Sequence, residues 1–341
     1  MSTVHFLNVG KGDCTFIQHN SGRTSLIDIC KGNYTAPAVN QSAEAQLVDL
    51  INERTEAAKG NFGMAKKPTN PIDYLEGLGV SGIFRYILTH PDMDHMDGLD
   101  LMMDVFSPRV FWESGVRKEK PDFSQQGEYS EEDWDRYETM CGGKEPNLKV
   151  LNKLAGSRFQ YANKSEDGKG GGDGLYILAP DKDLVVTAND GGEVNDASYV
   201  LLYRSAGGRI LIPGDAHDGT WEYVIDNYKD DVANCSVLFA PHHGRRSGAN
   251  FDFLDVIKPK ITFFGCAASG HLAYEQWSNR GLDVVTNNQA GNIVLECAAG
   301  RIDVYIENRR FAEACGCDRS VKNTQSYFFY DTITESSEVT R

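Results

Sequence analysis

Three apolar segments of this 341-residue chain each end in a turn that carries histidine or aspartate. The segments are ILTHPDMDHMDG (87–98), RILIPGD (209–215) and SVLFAPHHG (236–244). A strand alternates its side chains between two faces, whereas the turn that follows can direct several side chains to one point. A fold that accommodates this chain therefore has to bury three strands and still bring their polar ends to the surface.

The first turn carries the densest set of metal-ligand side chains, namely His90, Asp92, Asp94 and His95. Imidazole and carboxylate groups are the usual ligands of zinc and of manganese-like ions. An acidic helix N-terminus would explain an aspartate here, because carboxylates favour that position, but it would not explain two histidines. The sequence therefore predicts that this turn binds metal.

The other two turns extend this interpretation. Gly214 permits a tight turn that exposes Asp215 at a strand end, where a carboxylate can bridge two cations, although Gly-Asp is also a common turn on its own. His242 and His243 are adjacent and point in different directions, so that one can bind metal while the other meets a substrate. We expect the three turns to form one site.

Two arginines follow the third turn directly. Arg245 and Arg246 suit a phosphate or a carboxylate, and the alternative is that they belong to a solvated loop. The chain as a whole has a formal net charge of −15, which repels nucleic-acid backbones and anionic lipids. Nucleic acid is therefore expected to bind only through a local site, and a membrane is not an expected partner.

The eight cysteines include no C-x-x-C pair, and most of them lie within apolar runs, which is typical of reduced, buried thiols. The N-terminal residues have no basic segment followed by a long apolar stretch. No apolar run reaches the roughly 20 residues that a transmembrane helix needs. We expect a cytoplasmic protein.

Short β-rich segments alternate with amphipathic segments along most of the chain. Three strands joined by tight turns occupy the first thirty residues, and a helix is predicted from about 42 to 59. Residues 113–174 are charged and glycine-rich, and we interpret them as an insertion with one helix capped by Ser130 and a second near 147–155. The pattern predicts two sheets with outer helices, in an α+β or layered α/β architecture.

The three turns, in this order, resemble the motifs of the metallo-β-lactamase superfamily, which read His-x-His-x-Asp-His, then a later Asp, then a later His. Here Asp92 stands at the second histidine position. The resulting HPDMDH resembles the branch that contains the nuclease-like domain of ComEC-type competence proteins and the phosphorylcholine esterases. The opening HFLNVGKGDCTFI and the pair NDASYVLLYRSAGGRILIPGD also resemble this branch. The resemblance covers about 1–112 and 175–306.

The resemblance implies an α/β (α+β) fold, a four-layer αββα sandwich in which two mixed sheets are flanked by helices. It implies a single domain over 1–307, interrupted by the insertion at about 113–174. Residues 308–341 would form a C-terminal extension, to which we assign no role. Whether the insertion docks a partner protein is left open.

The resemblance also implies two divalent metal ions, with zinc expected and manganese as the alternative. His90 and Asp92 would bind one ion, and Asp215 would bridge both. The second ion would be bound by Asp94, His95 and His243. His242 would face the substrate, although the roles of His242 and His243 could be exchanged.

Three further residues enter the predicted site by resemblance. Asn195 stands where many superfamily members have another histidine ligand, and because an amide is a poor ligand we group it with Arg245 and Arg246 as substrate-binding. The stretch GHLAYEQWSNRGLDVVTNNQAGNIVLEC (270–297) resembles the closing segment of this branch. Its His271 could touch the substrate, the alternative being a buried, hydrogen-bonded histidine. Asp28 is expected to orient a ligand histidine.

Two adjacent cations lower the pKa of a bridging water, so that hydroxide forms at neutral pH and attacks the substrate. His242 or His271 could act as the general acid, and Asp94 is grouped with them as catalytic. We therefore predict a metallo-hydrolase, in the first place a dinuclear phosphodiesterase or nuclease. The alternatives are a hydrolase of a small ester, lactone or amide, and a binding module in which metal stabilises the fold without catalysis.

Overall fold

The structure is a computed structural model that describes residues 1–36, 43–125, 127–247, 249–267, 269–318 and 320–334. Its strands are β1 (Ser2–Phe6), β2 (Thr15–Gln18), β3 (Thr24–Ile27), β4 (Arg85–Ile87), β5 (Val110–Trp112), β6 (Lys149–Leu151), β7 (Leu175–Ala179), β8 (Val200–Arg204), β9 (Arg209–Ile212), β10 (Val237–Phe239), β11 (Ile261–Phe264), β12 (Val284–Thr286), β13 (Ile293–Ala298), β14 (Arg301–Ile306) and β15 (Phe328–Thr334). Its helices are α1 (Ala43–Ala57), α2 (Pro71–Gly77), α3 (Leu99–Phe106), α4 (Glu131–Cys141), α5 (Lys182–Asn189), α6 (Asp218–Val232), α7 (Leu254–Ile257), α8 (Tyr274–Ser278), α9 (Asn287–Ala290) and α10 (Arg309–Ala314). The helix predicted from about 42, the insertion at 113–174 and the extension at 308–341 each include residues outside the described ranges, namely 42, 126, and 319 with 335–341.

The strands form two mixed sheets. The first sheet has the order β15-β14-β13-β1-β2-β3-β4-β5-β6, and the second has the order β12-β11-β10-β9-β8-β7. In the first sheet, β3, β4, β5 and β6 are parallel to one another, and the remaining neighbours are antiparallel. In the second sheet, β9 to β12 are parallel, whereas β7, β8 and β9 are antiparallel.

The two sheets pack face to face and carry helices on their outer faces. The inner layer joins apolar side chains of both sheets, with Phe6 of β1 stacked on Phe239 of β10 at 4.4 Å between ring centroids. Buried residues of α3 and α4, such as Phe106 and Trp134, cover the first sheet, and buried residues of α6 to α8, such as Trp221, cover the second. The predicted architecture, two mixed sheets flanked by helices, is confirmed.

Local sequence explains several element boundaries. Asn70 accepts hydrogen bonds from the backbone of residues 72 and 73 and precedes Pro71, so it starts α2. Ser130 caps α4, as predicted, and acidic residues fill the first turn of that helix. The helix predicted near 147–155 is wrong. Residues 149–151 form β6 instead, because pairing with β5 satisfies their backbone at the edge of the first sheet.

The topology brings the polar turns to one edge of the molecule. Ile27 of β3 is in parallel register with Ile87 of β4, and Leu211 of β9 is in parallel register with Leu238 of β10. Parallel strands end at the same edge of a sheet, so the turns after β3 and β4 face the turns after β9 and β10. At Gly214, which has a φ of 52°, an added Cβ would lie 2.8 Å from the side chain of Thr89. The two sheets therefore touch where their site-bearing turns begin.

Within the described part of the chain, no helix combines the length and apolar character needed to cross a membrane. All eight cysteines lie in the described ranges and are free.

Burial of His5 generates a prediction about pH. Burial lowers the pKa of His5 from 6.5 to about 4, and its ring nitrogens meet Tyr74 and Thr3. The unfolded chain takes up a proton at this residue below pH 6.5, whereas the folded chain does not, so stability falls as the pH falls from 7 to 5. Between pH 7 and pH 5, we expect the free energy of unfolding of His5→Gln to fall by about 2 kcal/mol less than that of the parent.

The measurement is denaturant unfolding of parent and variant at pH 7 and pH 5, with both proteins in the same metal state. His271→Gln is the control, because it makes the same substitution at an exposed histidine. An equal loss of unfolding free energy in the parent and in His5→Gln would contradict the prediction.

Candidate metal centre

The turn after β4 delivers the first group of side chains. His90 and His95 are buried, with 1% and 0% of their surface exposed, whereas Asp92 and Asp94 are partly exposed. A short 3-10 turn over Met93–His95 turns the chain so that His90 and His95 lie side by side, with ring centroids 4.2 Å apart. The two candidate histidine ligands of this turn therefore lie close together.

Asp28, at the end of β3, fixes both of these histidines. Its carboxylate accepts hydrogen bonds from Nδ1 of His95 at 2.8 Å and from the backbone N–H and hydroxyl of Thr89, each at 2.7 Å. Because the Thr89 hydroxyl donates to Asp28, its oxygen is left to accept from Nδ1 of His90 at 3.2 Å. Both rings are thus held with Nε2 facing away from Asp28.

Asp13, in the turn between β1 and β2, holds the third histidine in the same way. Its Oδ1 lies 2.9 Å from Nδ1 of His243, a contact in which only the imidazole can donate to the ionised carboxylate. Asp13, His95, Asp215 and His243 each bring one possible ligand atom within 4.8 Å of the others. We did not predict Asp13 as a site residue.

Asp215 lies at the point where the three rings converge. Its oxygens are 3.2 Å from Nε2 of His95, 3.6 Å from Nε2 of His243 and 4.0 Å from Nε2 of His90. None of these three Nε2 atoms, nor Oδ1 of Asp215, has a hydrogen-bond partner among the described residues, although all four are buried. Buried polar atoms in folded proteins are normally paired, so four unpaired atoms at one point indicate a missing partner.

The separations fit a metal ion as that partner. Four ligands about 2.1 Å from one ion in tetrahedral geometry lie about 3.4 Å from one another. Nε2 of His243 is 3.5 Å from Asp94, and Nε2 of His90 is 3.9 Å from Asp92. Together with the contacts to Asp215, these distances form two adjacent groups of ligands that share that carboxylate. Two divalent cations are therefore compatible with the residues present.

The pKa shifts of the buried histidines and carboxyls also favour a bound cation. Burial opposes a charge on His95 and His243, but Asp215 and the carboxylates behind the rings raise the pKa of both imidazoles well above the usual range. Burial also opposes the charge on Asp215 and Asp94, yet the neighbouring histidines lower the pKa of both carboxyls. A field that favours protons on buried imidazoles also favours metal cations, which displace those protons on binding.

The turn after β10 adopts a strained backbone. His242 and His243 both have positive φ angles, 50° and 57°, a region that side chains other than glycine adopt only at a cost of about 1–2 kcal/mol per residue. The backbone N–H of His242 donates to the carbonyl of Gly214 at 3.1 Å, which holds the turn against the neighbouring strand end. This backbone conformation directs the two consecutive histidines towards Asp215 from different sides.

His242 is the more accessible of these two residues, with 21% of its side chain exposed. Its Nε2 lies 3.6 Å from Asp215, and its Nδ1 meets Nε2 of His217 at 3.1 Å and the hydroxyl of Ser247 at 2.8 Å. Burial lowers the pKa of His242 to about 4. His242 therefore borders the cluster from the solvent side, while His243 belongs to its buried part.

Asp92 has an additional partner that the sequence did not suggest. Nζ of Lys118 donates to Oδ1 of Asp92 at 2.7 Å. Lys118 belongs to the predicted insertion, so this segment reaches the edge of the cluster and places a cation there.

The two predicted arginines differ in their surroundings. Arg246 is exposed, and its guanidinium forms an ion pair with Glu275 at 3.0 Å. Arg245 is half-buried, and its Nε has no partner among the described residues. The substrate-binding role of both stays a prediction, and the geometry favours Arg245.

The structure does not connect Asn195 or His271 to the cluster. Asn195 is nearly buried in a short 3-10 turn before β8, and His271 is exposed. Among the described residues, no hydrogen bond or ion pair joins either side chain to the metal-ligand candidates. Their proposed roles remain predictions.

No protein-family model matches the chain, and no curated protein matches its sequence. Solved structures give weak matches. Igni18, a metallo-hydrolase from the hyperthermophilic archaeon Ignicoccus hospitalis, has 13% identity and a TM-score of 0.46, over 87% of this chain and 100% of that one. A diphosphatase of the PhnP family has 12% identity and a TM-score of 0.43, over 88% and 99%. CmlA, a diiron β-hydroxylase from Streptomyces venezuelae, has 12% identity and a TM-score of 0.44, over 86% and 54%. The geometry above, and not this likeness, supports the proposals below.

The two carboxylate–histidine pairs predict how the centre responds to mutation. Asp13→Asn and Asp28→Asn each replace an ionised acceptor behind a candidate ligand ring, which loosens the orientation of that ring. We expect each variant to bind zinc about 10- to 100-fold more weakly than the parent. Competition against a chromophoric chelator measures this affinity.

Asp104→Asn is the matched control, because Asp104 is an exposed carboxylate of α3 that pairs with Arg136. Its zinc affinity should equal that of the parent. Parent-like affinity in Asp13→Asn would show that Asp13 does not support the centre.

Proposed function

We propose that this chain is a metal-dependent hydrolase of the metallo-β-lactamase type that cleaves phosphodiesters. The observation that carries the proposal is the convergence of four buried atoms without hydrogen-bond partners, Nε2 of His90, His95 and His243 and Oδ1 of Asp215. Two divalent ions, with zinc expected before manganese, would be held by His90, Asp92, Asp94, His95, Asp215 and His243. Once bound, the ions supply Lewis acidity and activate water at the scissile group.

The residues around the centre divide the remaining tasks. Asp28 and Asp13 keep the ligand rings in one tautomer, so that Nε2 stays available. Asp215, buried between the rings, keeps its charge because the imidazoles around it stabilise the carboxylate. The cluster is therefore organised before a substrate arrives.

His242 is placed to move a proton. It lies at the open side of the cluster, and Ser247 and His217 continue from its Nδ1 towards the surface of the turn. Because burial lowers its pKa, the His242 ring is neutral near pH 7, and when Ser247 donates to Nδ1 the ring holds its one proton on Nε2. A leaving alkoxide could take that proton while Nδ1 receives one from Ser247 or His217. His271 is the alternative acid, and its side chain makes no contact of this kind among the described residues.

Cations near the cluster favour a phosphodiester over a neutral ester. Arg245 has an unpaired guanidinium nitrogen, and Lys118 lies beside Asp92. Each could bind a non-bridging oxygen of a phosphate. The net charge of −15 elsewhere on the chain opposes long polyanions, so we propose a small diester before a nucleic-acid duplex.

The direct test is turnover of bis(p-nitrophenyl) phosphate by purified protein loaded with zinc or with manganese. We expect release of p-nitrophenol, and we expect Asp94→Ala to abolish it because the variant removes a ligand that faces His243. Asp104→Ala serves as the control and should retain activity. Hydrolysis of a lactone or carboxylic ester panel without phosphodiester turnover would assign the centre to the other hydrolase class.

A second prediction separates the two candidates for the general acid. We expect His242→Ala to lower kcat by about 100-fold or more, while the metal content stays that of the parent, because the ring is placed to donate a proton. His271→Ala should have a small effect on kcat. The reverse result, with a large loss only in His271→Ala, would assign the acid to His271.

A further inference from the structure

A cleft of about 640 Å³ lies next to the candidate metal centre. Its walls come from residues between 59 and 66, from β12 and α9, and from Gly265, Ala267, Leu272 and Tyr274. A volume of this size is typical of sites for small molecules. The cleft therefore has room for a part of a substrate that extends beyond the reacting group.

Gly265 is the point where the cleft meets the cluster. A Cβ added at Gly265 would lie 3.0 Å from Cβ of His243 and 3.6 Å from Oδ1 of Asp13. A larger residue here would press on the histidine that faces Asp215. The absence of a side chain lets this wall of the cleft lie directly against His243 and Asp13.

Polar contacts hold the wall of residues 59–66 in place. The side chain of Asn288 donates to Asn61 at 3.1 Å and accepts from the backbone N–H of Ala65, also at 3.1 Å. The buried side chain of Asn8 donates to the carbonyls of Met64 and Lys67. The cleft is thus formed before a ligand binds, which lowers the entropic cost of binding.

The charge of the cleft is opposite to that of the protein. The chain has 49 acidic and 34 basic residues, yet no aspartate or glutamate lines the cleft in the part of the chain that the structure describes. Two lysines do line it. Lys59 is paired with Glu56 at 2.8 Å, whereas Lys66 forms no ion pair with a described residue. An unpaired lysine in a small pocket suits an anionic group.

Tyr274 adds a flat apolar wall. Its ring stacks on Phe264 with centroids 5.5 Å apart and planes 7° apart, and 40% of the residue is exposed. A partly exposed tyrosine supported in this way can contact a planar or sugar-like group with little loss of side-chain entropy.

We propose that this cleft binds the non-reacting arm of the substrate and that the arm ends in a second phosphate, bound by Lys66. The inference rests on the proposed function in one respect, which is that the reacting diester lies at the metal centre. It narrows the substrate to a small diester of nucleotide size that carries an additional phosphate on the side of Gly265 and Tyr274.

Two nucleotide substrates form a matched pair for the test. The 5′-(p-nitrophenyl) ester of thymidine 5′-phosphate and its 3′-phosphorylated counterpart differ only in the second phosphate. We expect the zinc-loaded parent to have a lower KM for the 3′-phosphorylated compound. Lys66→Gln should raise that KM by about five- to tenfold and remove the preference, because it removes the cation that pairs with the second phosphate.

Lys67→Gln is the matched control. Lys67 is adjacent in sequence and exposed, but it pairs with Glu53 and does not line the cleft. The preference for the second phosphate should persist in this variant. Equal KM values for the two compounds in the parent, or a preference that survives Lys66→Gln, would overturn the proposal.

Direct binding distinguishes failure of this inference from failure of the proposed function. If the zinc-loaded parent hydrolyses neither nucleotide nor bis(p-nitrophenyl) phosphate, the phosphodiesterase proposal fails on its own. Calorimetry with thymidine 3′,5′-bisphosphate then decides the cleft. Binding that Lys66→Gln weakens about five- to tenfold supports the phosphate site. The absence of binding to the parent, or equal binding to both proteins, overturns it.

Discussion

The centre depends on the imidazoles of His90, His95 and His243, which are buried while their Nε2 atoms have no hydrogen-bond partner among the described residues. Each buried polar atom without a hydrogen bond costs about 1–3 kcal/mol, so an apolar core would not retain such an arrangement. Asp28 and Asp13 limit the cost, because they hold the opposite nitrogens of His95 and His243 and fix the rings in place. A cation bound to these Nε2 atoms would supply the partner that each of them lacks. These histidines follow strands of both sheets, so the packing of the two sheets is what brings their Nε2 atoms together.

Much of the fold could be predicted, because apolar strands that end in glycine, proline or a capping residue leave clear local signals. Ser130 is an example, since a serine before an acidic turn starts a helix. Elements whose signals are not local could not be predicted. Helix α6 begins after His217, which makes no side-chain cap, so Asp218 in the first turn is only a weak start signal for it. Residues 149–151 become a strand because the edge of β5 is available for pairing.

The candidate site likewise contains residues with a local sequence signal and residues whose position depends on tertiary contacts. His90 and Asp215 could be selected because each closely follows an apolar strand, and His95 because it shares the turn of His90. Asp13 could not, because GKGD has the composition of an ordinary turn and its contact with His243 depends on how the two sheets meet. The same limit applies to Arg246, since its pairing with Glu275 joins two segments that are separate in sequence.

The hydrogen bond between Asp13 and His243 joins residues 230 positions apart. During synthesis, the first ligands leave the ribosome long before their partners, and both sheets have to dock before the centre exists. Closing so long a loop is slow, since chain entropy opposes it until many contacts form together. The complete set of candidate ligands is therefore assembled only after most of the chain has been synthesised and both sheets have docked.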